Sequence, residues 1–425
     1  MGVLIGYEVK KITKRKSTII SFAIIFAIHL VFICIGGSLG NTYVDDKFYE
    51  THAQRNTIDR QNGIALSGRR IDNALLDEMQ QAYDKIDWST NAYLWTDTYK
   101  NEVRKYSELE ELFKTWGLGS TFIQKGVGGS NTSQTNAENV EELPKITSQN
   151  REQILYEYRQ DYQNAMYENY ELSDHEIAYW EEKDKEIEIP FTYQYATTYQ
   201  IMLGMGKIYM ICMLGTFFTA ISMVNVFMEE HTRKTDQLIL CAKYGREKVY
   251  MAKIFAGSMV TFGITTLFVI TALAGCFFSY GVEGFEGAIQ VVTAFWYSYK
   301  LSAGETVLIC IGILLLSSVM VTIFTMLLAE VFKHSVGAMA VVVGLLFVAR
   351  LVVIPPSWGI LSRVWNYFPI NMLKIDEGFM DLRLVDVLGV QFTTWQFAPI
   401  LYILLSIIMG WIGYKVYKNY QVCGR

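Results

Sequence analysis

Long apolar runs alternate with polar stretches along this chain of 425 residues. Six of the runs approach the roughly 20 residues that an α-helix needs to cross the hydrocarbon core of a bilayer. They predict membrane spans at about residues 17–37, 200–227, 254–278, 305–328, 336–354 and 398–417. The pattern therefore predicts an integral membrane protein, mainly α, with a bundle of six transmembrane helices.

A long polar stretch, residues 38–199, separates the first two predicted spans. Apolar residues recur there at helical spacing, which predicts helices at about residues 69–87, 107–116, 149–170 and 174–185. Ser173 and Glu176 form a capping box that opens the last of these helices. Residues 117–142, rich in Gly, Ser, Asn and Thr, predict a loop. We expect a large, mostly helical domain with a few strands near both membrane junctions, inserted between spans 1 and 2.

A shorter polar segment, Phe227–Lys253, lies between spans 2 and 3. Its centre, Leu238–Leu240, is apolar and is flanked on both sides by charged residues. This pattern predicts a short amphipathic helix and then a basic turn, against the cytoplasmic end of the bundle. Such a segment does no chemistry, so we expect it to be bound by another protein.

The charges are sorted along the chain. Residues 41–199 contain 16 basic and 29 acidic residues, a net charge of −13, whereas the rest of the chain has a net charge of +8. Basic residues are concentrated in residues 1–16, a predicted membrane-surface helix, and in the loop 228–253. The positive-inside rule places both in the cytoplasm. We therefore expect a multi-pass protein of the cell membrane with both termini cytoplasmic and the acidic domain, residues 38–199, extracytoplasmic.

The loop before the last span, residues 355–397, is unusually apolar and is interrupted by prolines. Two alternatives fit this composition. The loop forms short helices that dip into the outer leaflet, or it folds as a cap over the bundle.

Motifs for catalysis are absent from the sequence. Residues 204–207 (GMGK) lack the leading glycine and the following Ser or Thr of a phosphate-binding loop, and they lie in a predicted span. Residues 175–179 (HEIAY) have one histidine where a zinc protease needs two. We therefore expect no catalytic residue, metal site or cofactor in this chain, and no nucleic-acid partner.

Ionisable residues within the predicted spans are possible intramembrane polar sites, because burying a charge in a bilayer is costly. They are His29, Lys207 and Arg350. The alternatives are a neutral, hydrogen-bonded core histidine and, for the two cations, side chains that extend to the membrane surface. Glu330 is expected at the inner surface and solvated.

The order of these features resembles the permease subunit of an ABC-2 type ABC transporter. The resemblance covers about residues 1–40 and 200–425, and the segment after span 2 carries most of it. An acid at 229 or 230, the short helix Leu238–Leu240, Arg246 and Lys253 match the family pattern. The large domain after the first span departs from the simplest members.

The resemblance implies a dimer, formed with the same or a related chain, that provides the substrate pathway of an exporter in the lipid bilayer. Separate cytoplasmic ABC ATPase subunits would bind ATP and Mg²⁺ and would drive the permease through the helix after span 2. The residues implied in this coupling are Glu229, Glu230, Arg233, Asp236, Leu238, Ile239, Leu240, Arg246 and Lys253. The alternatives are a mechanotransmission or sensing protein of the FtsX/MacB type and a receptor without an ATPase.

Overall fold

The protein is mainly helical in a computed structural model, which describes residues 1–35, 39–88, 91–116, 150–204, 206–232, 235–241, 245, 247–374 and 378–419. The elements of the first half are α1 (Gly2–Thr13), α2 (Lys16–Ile35), β1 (Asn41–Val44), β2 (Lys47–Thr51), α3 (His52–Leu66), α4 (Asn73–Tyr83), α5 (Ser107–Thr115), α6 (Arg151–Asn169), α7 (Asp174–Asp184) and α8 (Thr197–Leu203). Those of the second half are α9 (Lys207–Met223), α10 (Asn225–Thr232), α11 (Asp236–Cys241), α12 (Lys248–Tyr280), α13 (Ile289–Val292), α14 (Ala303–Phe332), α15 (Ser335–Leu351), α16 (Ile360–Asn366), α17 (Pro369–Met372), β3 (Val385–Val387), β4 (Val390–Phe392) and α18 (Thr394–Asn419). The predicted loop at 117–142 lies outside the described residues.

Five of the described helices are long and apolar enough to cross a membrane. They are Lys16–Cys34, Lys207–Glu230, Lys248–Tyr280, Ala303–Phe332 and Thr394–Asn419. The predicted fifth span corresponds to α15, an apolar helix of 17 residues at the lower limit for spanning. A mainly helical membrane protein is therefore confirmed, and the number of six spans stays a prediction.

The second predicted span begins later than the hydrophobic pattern indicates. Apolar residues continue through 200–227, but α8 ends at Leu203 and α9 begins at Lys207. Gly206 has φ of 69°, in the left-handed region that glycine adopts without steric cost. The chain therefore turns before the spanning helix begins.

Contacts divide the chain into two compact units. The first unit contains residues 1–32, 206–273 and 309–425, and the second contains residues 33–205 and 274–308.

The second unit contains the helices that periodicity predicted, as α4 to α7. The capping box is confirmed, since the Ser173 backbone N–H donates to the Glu176 carboxylate at 2.9 Å. The antiparallel pair β1–β2 agrees with the expected strands near the first membrane junction. Helix α3 was not predicted, although its capping box of Thr51 and Gln54 is visible in the sequence.

The core of the second unit is aromatic and includes residues from two distant parts of the chain. Trp116 and Phe113 are almost completely buried, and so is Phe295 from the segment between α12 and α14. Buried Arg159 donates from Nε to the Phe295 carbonyl oxygen at 2.7 Å and pairs with Asp184. Residues 279–304, which the sequence indicated only as a loop between spans, therefore contribute to this core.

The loop 355–397 folds within the first unit as two short helices, α16 and α17, and the hairpin β3–β4. Buried Arg383 connects them, because it pairs with Asp381 at 2.7 Å and donates to the Ser362 hydroxyl at 2.7 Å. The predicted short helices are present, whereas the hairpin was not predicted.

Candidate functional site

The polar segment after α9 begins as a helix that continues from the membrane-spanning region. Helix α10 ends at Thr232, the six-residue helix α11 follows, and α12 begins at Lys248. The Thr235 backbone N–H donates to the Glu230 carbonyl oxygen at 3.0 Å, so the start of α11 is attached to the end of α10. A short helix thus occupies the place that the amphipathic pattern predicted.

Helix α11 presents an apolar side chain to the outside of the protein. Leu238 is 76% exposed, and Ile239 is half-buried. Cys241, at the end of the helix, is also exposed. Exposing a leucine to water gives up about 1.5–3 kcal/mol of burial free energy, which a partner surface that covered Leu238 would recover.

Helix α10 ends in the opposite kind of environment. Glu230 is 5% exposed, and its two carboxylate oxygens each contact a lysine. Lys11 Nζ lies 2.5 Å from Oε1, and Lys253 Nζ donates to Oε2. The Lys253 side chain is completely buried, with its ammonium 4.5 Å from the centre of the Phe227 ring. Both cations are therefore neutralised inside the protein.

Helix α1 and Arg15, which lies between α1 and α2, supply the rest of this ion cluster. Arg15 Nε lies 2.8 Å from Glu229 Oε2, and Lys11 also lies 3.9 Å from buried Glu8. The ion cluster, defined as Glu8, Lys11, Arg15, Glu229, Glu230 and Lys253, has three carboxylates and three cations. It joins α1, α10 and α12 by charge.

Aromatic contacts fix the start of α12 against α18. The Tyr250 hydroxyl donates to the Gly410 carbonyl oxygen at 3.0 Å. The rings of Phe227 and Tyr417 lie 5.8 and 5.5 Å from the Tyr250 ring. The Lys253 end of the ion cluster therefore packs against aromatic rings and is shielded from solvent.

The sequence-predicted coupling residues fall into three groups in the structure. Glu229, Glu230 and Lys253 come together in the ion cluster, whereas Leu238 and Ile239 lie on α11. The backbone of Asp236 and Leu240 belongs to α11, but their side chains lie outside the described part of the chain, as do Arg233 and Arg246. Sequence reasoning missed Lys11 on α1 and Arg15 just after it, because both are far along the chain from the polar segment after α9.

The possible intramembrane sites are separate from the ion cluster. His29 is buried, and Nε2 donates to the Phe268 carbonyl oxygen at 3.0 Å, beside the Thr271 hydroxyl. Lys207 donates to the Phe32 carbonyl oxygen at 2.8 Å. The Arg350 guanidinium lies 5.5 Å from the centre of the Tyr209 ring. These contacts agree with a hydrogen-bonded core histidine, and they place the two cations at the ends of α9 and α15.

The expectation for Glu330 was wrong. Its side chain is completely buried and pairs with Lys333, which follows it by three residues. A charged partner one turn away allows the carboxylate to be buried, and the sequence reading did not consider this pair.

Among the described residues, no group of three or more His, Cys, Asp or Glu side chains is arranged to hold a metal ion. The site instead consists of a buried set of ion pairs and an exposed short helix.

One comparison with known proteins identifies a family for this chain. The family model described as "ABC-2 family transporter protein" matches residues 3–370, most of the chain. No curated protein and no solved structure matches the chain. With its apolar helices, the chain belongs to the ABC-2 transporter family, as a multi-pass membrane permease component of an ABC transporter.

Proposed function

We propose that this chain is the membrane-spanning permease subunit of an ATP-binding cassette exporter. It pairs with a second permease subunit, of the same or a related chain, and together they form the substrate pathway. A separate cytoplasmic ATPase binds ATP and Mg²⁺ and drives the permease through α11. The alternative of the FtsX/MacB type is not favoured by the family match.

The observation that carries the proposal is the contrast between Leu238 and Lys253. Leu238 is 76% exposed on a short polar loop, and Lys253 is completely buried with its counter-charge. An exposed apolar side chain favours docking, since anchors of protein interfaces are apolar groups that enter a pocket of the partner. The buried ion pair of Lys253 and Glu230 favours a rigid connection between α10 and α12.

In this proposal, hydrogen bonds and ion pairs transmit a displacement of α11 to other helices. A displacement of α11 reaches Glu230 through the backbone hydrogen bond from Thr235. From Glu230 it passes to Lys253 on α12 and to Lys11 on α1 through the ion pairs. In this proposal the exposed helix receives the work and the ion cluster transmits it to three helices.

The remaining predicted residues take supporting roles in the proposal. Ile239 and Leu240 are the other apolar residues of the coupling helix. The charges of Arg233, Asp236 and Arg246 set the register of the ATPase by pairing with opposite charges on it, as rim charges of interfaces do. Glu229 holds Arg15 and thus α1.

We place α11 and both termini in the cytoplasm, and residues 38–199 and the loop 355–397 outside the cell membrane. Basic residues in 1–16 and 228–253 support this orientation. In intact cells of a variant without other cysteines, a membrane-impermeant maleimide should not modify Cys241 but should modify a cysteine at the fully exposed position of Leu388→Cys. The reverse labelling would refute the orientation.

Docking is tested with Leu238→Asp. The charge cannot enter an apolar pocket, so we expect the affinity for the ATPase to fall by about 2 kcal/mol or more, roughly 30-fold. The measurement is co-purification and titration of the ATPase encoded beside this chain. Leu388→Asp is the matched control, because Leu388 is 100% exposed on the turn between β3 and β4.

The two variants separate docking from general damage. We expect Leu388→Asp to bind the ATPase as the wild type does, and both variants to elute normally in gel filtration. Equal affinity of Leu238→Asp and wild type for the ATPase would contradict the proposal.

A further inference from the structure

A large apolar cavity lies in the first unit, away from the ion cluster. Its volume is about 480 Å³, within the range of roughly 300–1,000 Å³ that is usual for small-molecule sites. Side chains of α9, α14, α15 and α18 line it, together with residues of α16 and α17. Twelve of its 17 lining residues are Val, Leu, Ile, Phe or Met.

The cavity offers almost no polar partner to a ligand. Thr216 contributes a hydroxyl to the wall, but that hydroxyl donates to the Cys212 carbonyl oxygen at 2.9 Å. Leu345, in the wall, is 36% exposed, and Val364 is 55% exposed. The cavity is therefore open at its side, among helices long and apolar enough to cross a membrane.

A cation stands at one end of the cavity. Arg350 follows Leu346 by four residues and so lies one turn further along the same face of α15. Its guanidinium lies against Tyr209, whose ring packs on the cluster formed by Leu346, Ala349 and Ile370. Among the described residues, no carboxylate pairs with Arg350.

We propose that this cavity binds an acyl chain of an anionic membrane phospholipid, with Arg350 on the phosphate. A charged arginine at the end of an apolar cavity complements an amphiphile of this kind, since a guanidinium pairs with phosphate oxygens through parallel N–H···O bonds. The hydrocarbon of the membrane surrounds these helices, so an acyl chain reaches the open side without crossing water. The proposal concerns a lipid site, and it does not depend on an ATPase driving the chain.

The charge distinguishes this occupant from a second copy of the chain. An apolar face that packs against another copy would place Arg350 in the interface and would need an acid to pair with it. The headgroup of an anionic lipid supplies a net negative charge, which the choline ammonium cancels in phosphatidylcholine, and it leaves the arginine at the membrane surface.

The test uses the full chain in nanodiscs of equal parts phosphatidylcholine and phosphatidylglycerol. In one preparation the phosphatidylglycerol carries a diazirine on its acyl chain, and in a second preparation the phosphatidylcholine carries it. After irradiation, mass spectrometry locates the modified residues. We expect phosphatidylglycerol to label cavity residues such as Met320, Leu405 and Met409 about fivefold more than phosphatidylcholine does.

Two pairs of variants separate the chain pocket from the headgroup site. Leu345→Trp fills the cavity, and its control Val348→Trp alters an exposed position of the same helix that does not line the cavity. Arg350→Gln removes the headgroup charge, and its control Lys207→Gln removes another cation at a helix end. We expect Leu345→Trp to abolish cavity labelling and Arg350→Gln to abolish the preference for phosphatidylglycerol, with both controls unchanged.

The opposite results overturn the proposal. Equal labelling by the two lipids in the wild type would contradict a headgroup site at Arg350. An unchanged preference for phosphatidylglycerol in Arg350→Gln would contradict it as well. Labelling spread evenly over lipid-facing residues, or cross-links between two copies at the cavity, would remove the acyl-chain pocket. The wild-type comparison decides the question even where Leu345→Trp does not fold.

Discussion

Helix α11 and the ion pair of Glu230 and Lys253 belong to one polar segment, yet their side chains lie in opposite environments. Leu238 leaves an apolar side chain 76% exposed, whereas Lys253 and Glu230 are charged and buried. Each arrangement is costly alone, since apolar groups favour burial and isolated charges favour water. The difference supports the proposal that this segment has two tasks, in which α11 binds a partner and the buried ion pair connects helices within the chain.

The largest effect is expected from breaking the buried ion pair of Glu230 and Lys253. Glu230→Ala leaves Lys253 buried without its counter-charge, and removing one member of a buried pair costs about 3–5 kcal/mol. We expect the free energy of unfolding of the purified protein to fall by this amount. Denaturant or thermal unfolding in detergent measures it.

Glu247→Ala is the control for this loss. Glu247 lies at the start of α12 and pairs with Lys418, but both side chains are well exposed, so the cost should stay below about 1 kcal/mol. The double variant Glu230→Gln, Lys253→Met should regain much of the stability, because neither charge is then buried alone. Equal losses of unfolding free energy for Glu230→Ala and Glu247→Ala would contradict a stabilising, buried ion pair at Glu230.

A smaller effect should appear at a carboxyl that is buried without a cation beside it. Glu108 in the second unit accepts a hydrogen bond from the Thr197 hydroxyl at 2.8 Å, and no described cation lies at ion-pair distance from it. Burial raises the pKa of Glu108 to about 7. It thus illustrates the energetic problem that Glu230 avoids by contacting two lysines.

The raised pKa of Glu108 gives a pH dependence with a defined sign. The folded protein holds the proton more tightly than the unfolded chain, so its stability falls as the pH rises from about 4.5 to about 7. We expect Glu108→Gln to remove roughly 2–3 kcal/mol of this loss. Thermal unfolding at pH 5 and pH 8 measures it, with Glu111→Gln, an exposed site on the same helix, as the control. Identical pH dependence of Glu108→Gln and wild type would contradict a buried, protonated Glu108.

Much of the fold follows from local patterns in the sequence. The apolar runs, the helices of residues 38–199 and the short helix at Leu238 depend on neighbouring residues, which a sequence displays directly. The break before Lys207 was missed because the apolar composition continues through it, although Gly206 marks the turn.

The ion cluster could be predicted only in part, because its members are distant along the chain. Glu229, Glu230 and Lys253 stand in one segment, but Lys11 reaches Glu230 across 219 positions. Phe295 likewise completes a core whose other members come mostly before residue 200. Such pairings depend on how the helices pack, and periodicity carries no information about which helices become neighbours.

The central claim, that α11 binds the ATPase, is tested most directly at Cys241. This cysteine is native, exposed and at the end of α11. We predict that saturating ATPase slows its modification by a maleimide by roughly an order of magnitude, since the core of an interface excludes solvent. The rate at a cysteine introduced by Leu388→Cys should stay unchanged. Equal rates at Cys241 with and without a bound ATPase would contradict the account.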